Sequence, residues 1–144
     1  MFLSKSCVYA IRAALLVTSR TNKRTRDFIP LQEIAAELNL SFHFLTKILQ
    51  QLTQAKIMES FRGPRGGVLL AKPASSVYLI DIIKVVDGMG AFEDCVLGLP
   101  DCSEKAPCPL HREWKKRRQE LRKMFERYTL ADLARGKRVL NLKN

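Results

Sequence analysis

A chain of 144 residues with 47% hydrophobic content is long enough for one cored domain, or one domain with an extension. Its formal charge of +11 and pI near 9.9 point to a polyanionic partner, nucleic acid ahead of an anionic membrane surface. No stretch approaches the roughly 18 consecutive apolar residues of a membrane span, and Arg12 interrupts the apolar run of residues 1–17 with no small-residue cleavage site after it. Cys7 has no apolar stretch before it to make a lipoprotein signal, so the chain reads as cytoplasmic, with reduced thiols rather than a disulfide framework.

In chain order, residues 4–19 read as a helix, with Val8, Ile11, Leu15 and Thr18 at three- and four-residue spacing, backed by Ala10, Ala14 and Val17. A basic loop carrying Arg20, Lys23, Arg24 and Arg26 leads to Pro30, which is placed to open a second helix over 31–38, with Leu31, Ile34, Ala35 and Leu38 on one face. Asn39 suits a left-handed stop and Ser41 an N-cap. A third helix over 42–54 presents Leu45, Ile48, Leu49 and Leu52. Two short helices joined by a tight turn fit a helix-turn-helix or an ordinary helical hairpin. Strands over 57–62 and 68–71, joined by Gly63-Pro64-Arg65-Gly66-Gly67, favour the first, because a hairpin directly after such a motif is a wing. Arg62 and Arg65 lie at its tip, where a guanidinium enters a minor groove or grips phosphate.

Ser75 or Ser76 is positioned to cap a further helix through Asp87, with Leu79, Ile82, Ile83 and Val86 on one face and Gly88 and Gly90 ending it. Beyond the loop that follows, a long helix is expected over 110–128. Trp114, Leu121, Met124 and Tyr128 recur along it, with Phe125 alongside, as a narrow seam suited to a partner helix. Its remaining faces are mostly charged and read as solvated. Thr129 and Asp132 resemble a cap and its partner for a last short turn, and the basic tail 136–144 is expected to fray.

The intervening loop, CVLGLPDCSEKAPCPLH, gathers Cys95, Cys102, Cys108 and His111 among Gly98, Pro100, Pro107 and Pro109. Thiolates and an imidazole on a loop suit a soft metal centre. The spacing is wider than the CxxC knuckles usual for structural zinc, whereas iron–sulfur ligation tolerates broad spacing because the loop must wrap a cluster. Spacing alone leaves the metal open. His111 is the natural fourth ligand through a neutral ring nitrogen. Glu93, Asp94, Asp101, Glu104 and Cys7 are alternatives, the last either a core residue or a ligand offered across a dimer. His43, on the third helix, faces DNA or solvent in this reading.

These residues resemble the Rrf-two family of winged-helix regulators, the IscR and NsrR group. The resemblance is carried by Tyr9-Ala10, Ile29-Pro30-Leu31, Glu33-Ile34-Ala35, Leu45 with Leu49 and Leu52, the wing Arg62-Gly63-Pro64-Arg65-Gly66-Gly67, Val86-Asp87-Gly88 and the three-cysteine loop, over about residues 1–135. It implies a mainly α fold with a small β-hairpin: a winged helix-turn-helix (1–90), a cluster-binding loop (91–111), and a long C-terminal dimerisation helix with a basic tail (112–144). It further implies a homodimeric transcriptional regulator, a repressor, reading a palindromic double-stranded DNA operator. Its cysteines would hold an iron–sulfur cluster that senses redox state, nitric oxide or iron supply.

By the same resemblance Ser41, His43, Thr46 and Lys47 fall at base-reading positions, and His111 followed by Trp114 favours a [2Fe–2S] over a [4Fe–4S] cluster. The chain departs from the pattern in several places. The first loop gap is one residue longer than in IscR-type chains, and Val8 stands where NsrR-type chains have an acidic ligand. Arg65 replaces a wing glycine and Thr46 an acidic residue. A zinc-stabilised or a cluster-free, thiol-sensing regulator is the alternative. An enzyme is disfavoured, since no CxxC, no nucleophile–base pair and no glycine-rich cofactor loop stands in the sequence.

Overall fold

The computed structural model describes residues 2–21 and 24–136. Lys23 of the expected basic loop and residues 137–144 of the expected frayed tail lie outside them. The elements in order are α1 (Lys5–Arg20), α2 (Leu31–Leu38), α3 (Phe42–Gln54), β1 (Met58–Phe61), β2 (Gly67–Leu70), a 3-10 turn (Ala74–Ser76), α4 (Leu79–Val86), α5 (Gly90–Glu93), α6 (His111–Arg127) and α7 (Leu130–Ala134). This is a winged helix-turn-helix with a long helix near its C-terminus, as the resemblance implies.

Helix α1 runs through the middle of the core. Ser4 caps it by accepting the Cys7 amide, and its buried residues are Cys7, Ala10, Ala13, Ala14, Leu15, Leu16 and Val17. The buried face is therefore rotated from the expected one, with Val8 and Ile11 only half-buried. The reason is crowding: α1 packs against α2, α3, α4 and α7, and alanines let those neighbours approach where larger side chains would hold them off. The Ser4 backbone amide also donates to Asp87 Oδ2 at 2.8 Å and its hydroxyl to Asp87 Oδ1, which joins the start of α1 to the end of α4.

The helix-turn-helix follows its local signals. Asn39 takes the left-handed conformation (φ 52, ψ 49), its amide reaching back to Ala36. Ser41 Oγ accepts the Phe44 amide at 3.1 Å to start α3. Ile34 and Leu38 of α2 and Leu45, Ile48 and Leu52 of α3 are all but fully buried.

The wing pairs Met58 with Leu70 through to Phe61 with Gly67, antiparallel. A third segment joins it: Ile29 exchanges both backbone hydrogen bonds with Val68, at 3.0 and 2.9 Å. Gly67 (φ +151) makes that approach possible, since a Cβ there would lie 2.0 Å from the Ile29 carbonyl oxygen.

Three expectations are corrected. Neither Ser75 nor Ser76 caps a long helix, because both belong to the 3-10 turn; α4 begins after Tyr78, whose amide is held by Asp81 Oδ2 at 2.9 Å. Gly88 (φ +75) does end α4, but Gly90 opens the one-turn helix α5, which exists because Phe92 is buried against Cys7 and Ile83. The seam of α6 is divided. Trp114, Leu121 and Phe125 are partly covered by their own chain, while Met124 and Tyr128 stay exposed. The segment that follows α6 is drawn inward by an antiparallel bridge between Tyr78 and Thr129. It places Leu130, fully buried, in the same core as α1. Thr129 and Asp132 form the expected reciprocal cap of α7.

Candidate metal centre and nucleic-acid interface

The loop between α5 and α6 folds by short turns. The Gly98 amide donates to the Cys95 carbonyl at 2.9 Å, Cys102 to Leu99 at 3.3 Å and His111 to Cys108 at 3.0 Å, with Gly98 at φ +68. These turns return the chain on itself, so the sulfurs of Cys95, Cys102 and Cys108 all lie within 4.8 Å of one another. Cys95 and Cys108 are 3.7 Å apart. His111 Nδ1 lies 3.2 Å from Cys102 Sγ, and its other nitrogen, Nε2, lies 3.2 Å from Glu104 Oε1. Glu104 also pairs with Lys115. The three sulfurs are half-buried, and His111 is buried at the first residue of α6.

The loop is anchored to that helix at its other end too. The Asp94 carbonyl, beside Cys95, accepts hydrogen bonds from Trp114 Nε1 and Arg118 Nη1, both at 2.9 Å. Sequence spacing gives no sign of Arg118 or Lys115, because both sit inside a run of charges that reads as a solvated face.

The thiols differ in acidity. Amide donation from Leu99, then Leu97, lowers Cys95 to about 7, so much of it is thiolate at neutral pH. For Cys102 the Cys108 amide pulls downward, but burial and the neighbouring sulfurs of Cys108 and Cys95 outweigh it, and its thiol is raised. Lys115, then His111, hold the Glu104 carboxylate below its usual range. Cys7 is of another kind. It is fully buried in the core, and burial, reinforced by Asp87, pushes its thiol up to about 12.

Three soft sulfurs, one already acidic, and an imidazole beside Cys102 are a donor set that fits an iron–sulfur cluster or a thiophilic ion. Among the described residues, the compact group of potential metal ligands consists of these three cysteines; Cys7 is not in it.

Away from the loop in sequence, α3 exposes His43 and Lys47. Ser41 spends its hydroxyl on the cap, and Thr46 Oγ1 donates to the Phe42 carbonyl at 2.7 Å. Arg62 and Arg65 are exposed on the wing. Two aromatic residues absent from the sequence-level site accompany them. Phe42, at the start of α3, is 49% exposed, and Phe61, next to Arg62, is 57% exposed and stacked on Phe28 at 5.5 Å. Apolar residues on short, otherwise polar surfaces carry no periodic signal, which is why the sequence hides them.

Helix-turn-helix, wing and long C-terminal helix together define a winged-helix protein. The chain belongs to the Rrf2 family, described as iron-dependent transcriptional regulators, whose family model matches residues 3–136. It is similar to Protein aau3 of Rhizobium meliloti (strain 1021), 34% identical across 98% of this chain and 90% of that one. It is also similar to the HTH-type transcriptional regulator IscR of Klebsiella pneumoniae (strain 342), 29% identical across 93% of this chain and 80% of the relative. Among solved structures it resembles CymR (YrzC), the global cysteine regulator of B. subtilis, with a TM-score of 0.76, 27% identity, and 92% and 95% of the two chains covered. The chain is thus a transcriptional regulator and not an enzyme, and DNA is the partner its family implies. Among the described residues, no helix is long and apolar enough to cross a membrane.

Proposed function

We propose that this regulator is a cytoplasmic, homodimeric repressor whose grip on a palindromic operator depends on an iron–sulfur cluster held by Cys95, Cys102, Cys108 and His111. The convergence of the three cysteine sulfurs carries this reading, with the buried His111 ring set beside one of them, Cys102, at the first residue of α6. A [2Fe–2S] cluster is preferred because the fourth donor is a histidine. When bound, such a cluster supplies a centre that reacts to redox change, nitric oxide or iron shortage.

In this reading residues 1–90 are the DNA reader, 91–111 the cluster loop and 112–144 the dimerisation segment. The chain's own residues explain how the loop reaches DNA. Trp114 and Arg118 hold the backbone next to Cys95, so a shift of the loop is borne by α6. Helix α6 packs on α4, α4 packs on α3, and α1 touches both α3 and α4. Rearranging the loop therefore biases the angle at which α3 is offered. Two copies of α3 would enter successive major grooves, about 34 Å apart. There Ser41, His43, Thr46 and Lys47 would meet bases and phosphates, while Arg62 and Arg65 would take the minor groove and backbone. A coupling of about 1–3 kcal/mol between loop and interface changes operator affinity roughly 5–150-fold.

One observation favours a second reading, a zinc-stabilised regulator. A tetrahedral ion with metal–sulfur bonds near 2.3 Å separates its sulfurs by about 3.8 Å, close to the 3.7 Å between Cys95 and Cys108. A cluster-free thiol sensor is the third. Anaerobic purification with an absorption spectrum and iron, sulfide and zinc counts separates them. About two irons and two sulfides per chain, lost in Cys102→Ala while the protein stays folded, is the expected result. One zinc and no colour makes the centre structural. A metal-free chain that resists reconstitution and still binds its operator leaves the thiol sensor.

A further inference from the structure

The histidine at this centre is gripped from behind. Its Nε2 faces Glu104 Oε1 at 3.2 Å while Nδ1 faces Cys102 Sγ at 3.2 Å. Glu104 is itself held by Lys115, one helical turn beyond His111 on the same face of α6. A carboxylate at neutral pH only accepts hydrogen bonds, so the imidazole nitrogen against it must carry the proton. In a neutral ring the other nitrogen then keeps its lone pair.

We propose that Glu104 is a positioning residue of the metal centre, which by accepting the Nε2 proton of His111 fixes the ring so that Nδ1 is the nitrogen offered to the bound metal. Lys115 in turn aims Glu104. The outer hydrogen bond of a metal-bound histidine commonly selects its tautomer and orientation in this way, and its loss typically weakens metal binding about 10–100-fold. The proposal rests on His111 as the fourth donor but holds for a cluster and for a single ion alike. It also identifies a use for Glu104 other than direct ligation.

The test uses the full chain, whose two histidines, His43 and His111, are told apart by a His43→Gln control. Long-range proton–nitrogen correlation of the ¹⁵N-labelled, metal-free protein reads the ring tautomer, and anaerobic titration with cobalt(II) reads ligation through its visible bands. The wild-type His111 is expected to carry its proton on Nε2. Glu104→Ala should give a mixture of tautomers and about tenfold weaker cobalt binding. Glu104→Gln should restore both, because an amide oxygen also accepts the Nε2 proton. A wild-type proton on Nδ1 overturns the proposal, as does a Glu104→Ala protein unchanged in tautomer and cobalt affinity. His111→Ala with undiminished cobalt affinity instead sinks the assignment of His111 as a ligand.

Discussion

Four cysteines of one chain meet opposite fates, and each fate follows from its neighbours. Cys7 lies among Ile83 and Phe92 with no exposed surface, and its thiol is driven up to about 12 by burial and by Asp87. Cys95 sits at a turn whose amides bring it to about 7. A thiol raised above its unfolded value favours the fold while protonated. The Cys7 contribution is therefore complete below about pH 9 and is lost as pH rises from 9.0 toward about 12. Urea midpoints measured at rising alkaline pH should fall less steeply for Cys7→Ala than for wild type. The same variant should retain its full metal content, unlike Cys102→Ala. Metal loss in Cys7→Ala would return Cys7 to the ligand set.

The wing and α7 show how an element depends on residues distant in sequence. Gly67 admits Ile29 as a third strand-like segment, and any Cβ there meets the Ile29 carbonyl. Gly67→Ala should cost operator affinity by distorting the wing, while leaving the metal count and the fold's helicity unchanged. Equal affinity for the two proteins would separate wing geometry from DNA binding. Leu130 is fully buried where α7 meets α1. Leu130→Ala should lower stability by about 2–5 kcal/mol, read from denaturant unfolding. A loss under 1 kcal/mol would mean that α7 is not part of the cooperative core. The caps of α2, α3 and α7 were legible because each is a local device. The bridge between Tyr78 and Thr129 was not, since nothing in either segment names its distant partner.

For the whole molecule, charge and the divided face of α6 matter most. An excess of eleven positive charges implies counterion release on binding DNA, so log affinity should fall linearly with log salt. Arg62→Ala should reduce that slope by about one if its guanidinium sits on a phosphate. An unchanged slope and affinity would remove the wing tip from the interface. Met124 on α6 and Tyr128 just beyond its end are exposed at 42% and 37%, the part of the seam that the chain's own core leaves uncovered. Met124→Glu should shift sedimentation equilibrium toward monomer, and an unperturbed dimer would place the subunit interface elsewhere.

By itself the sequence determined the helix-turn-helix to the residue, the existence of the wing, the capped last turn and the gathering of thiols on one loop. Periodicity, capping residues and glycine turns act over a few positions, so they are written where they act. Only the tertiary structure decided which face of α1 is buried, that Ile29 completes the wing, that α6 turns Trp114 and Arg118 onto the loop, and that Glu104 stands behind His111. Each of these depends on segments far apart in the chain meeting in space. Such meetings are settled by the packing of the whole core rather than by any local pattern.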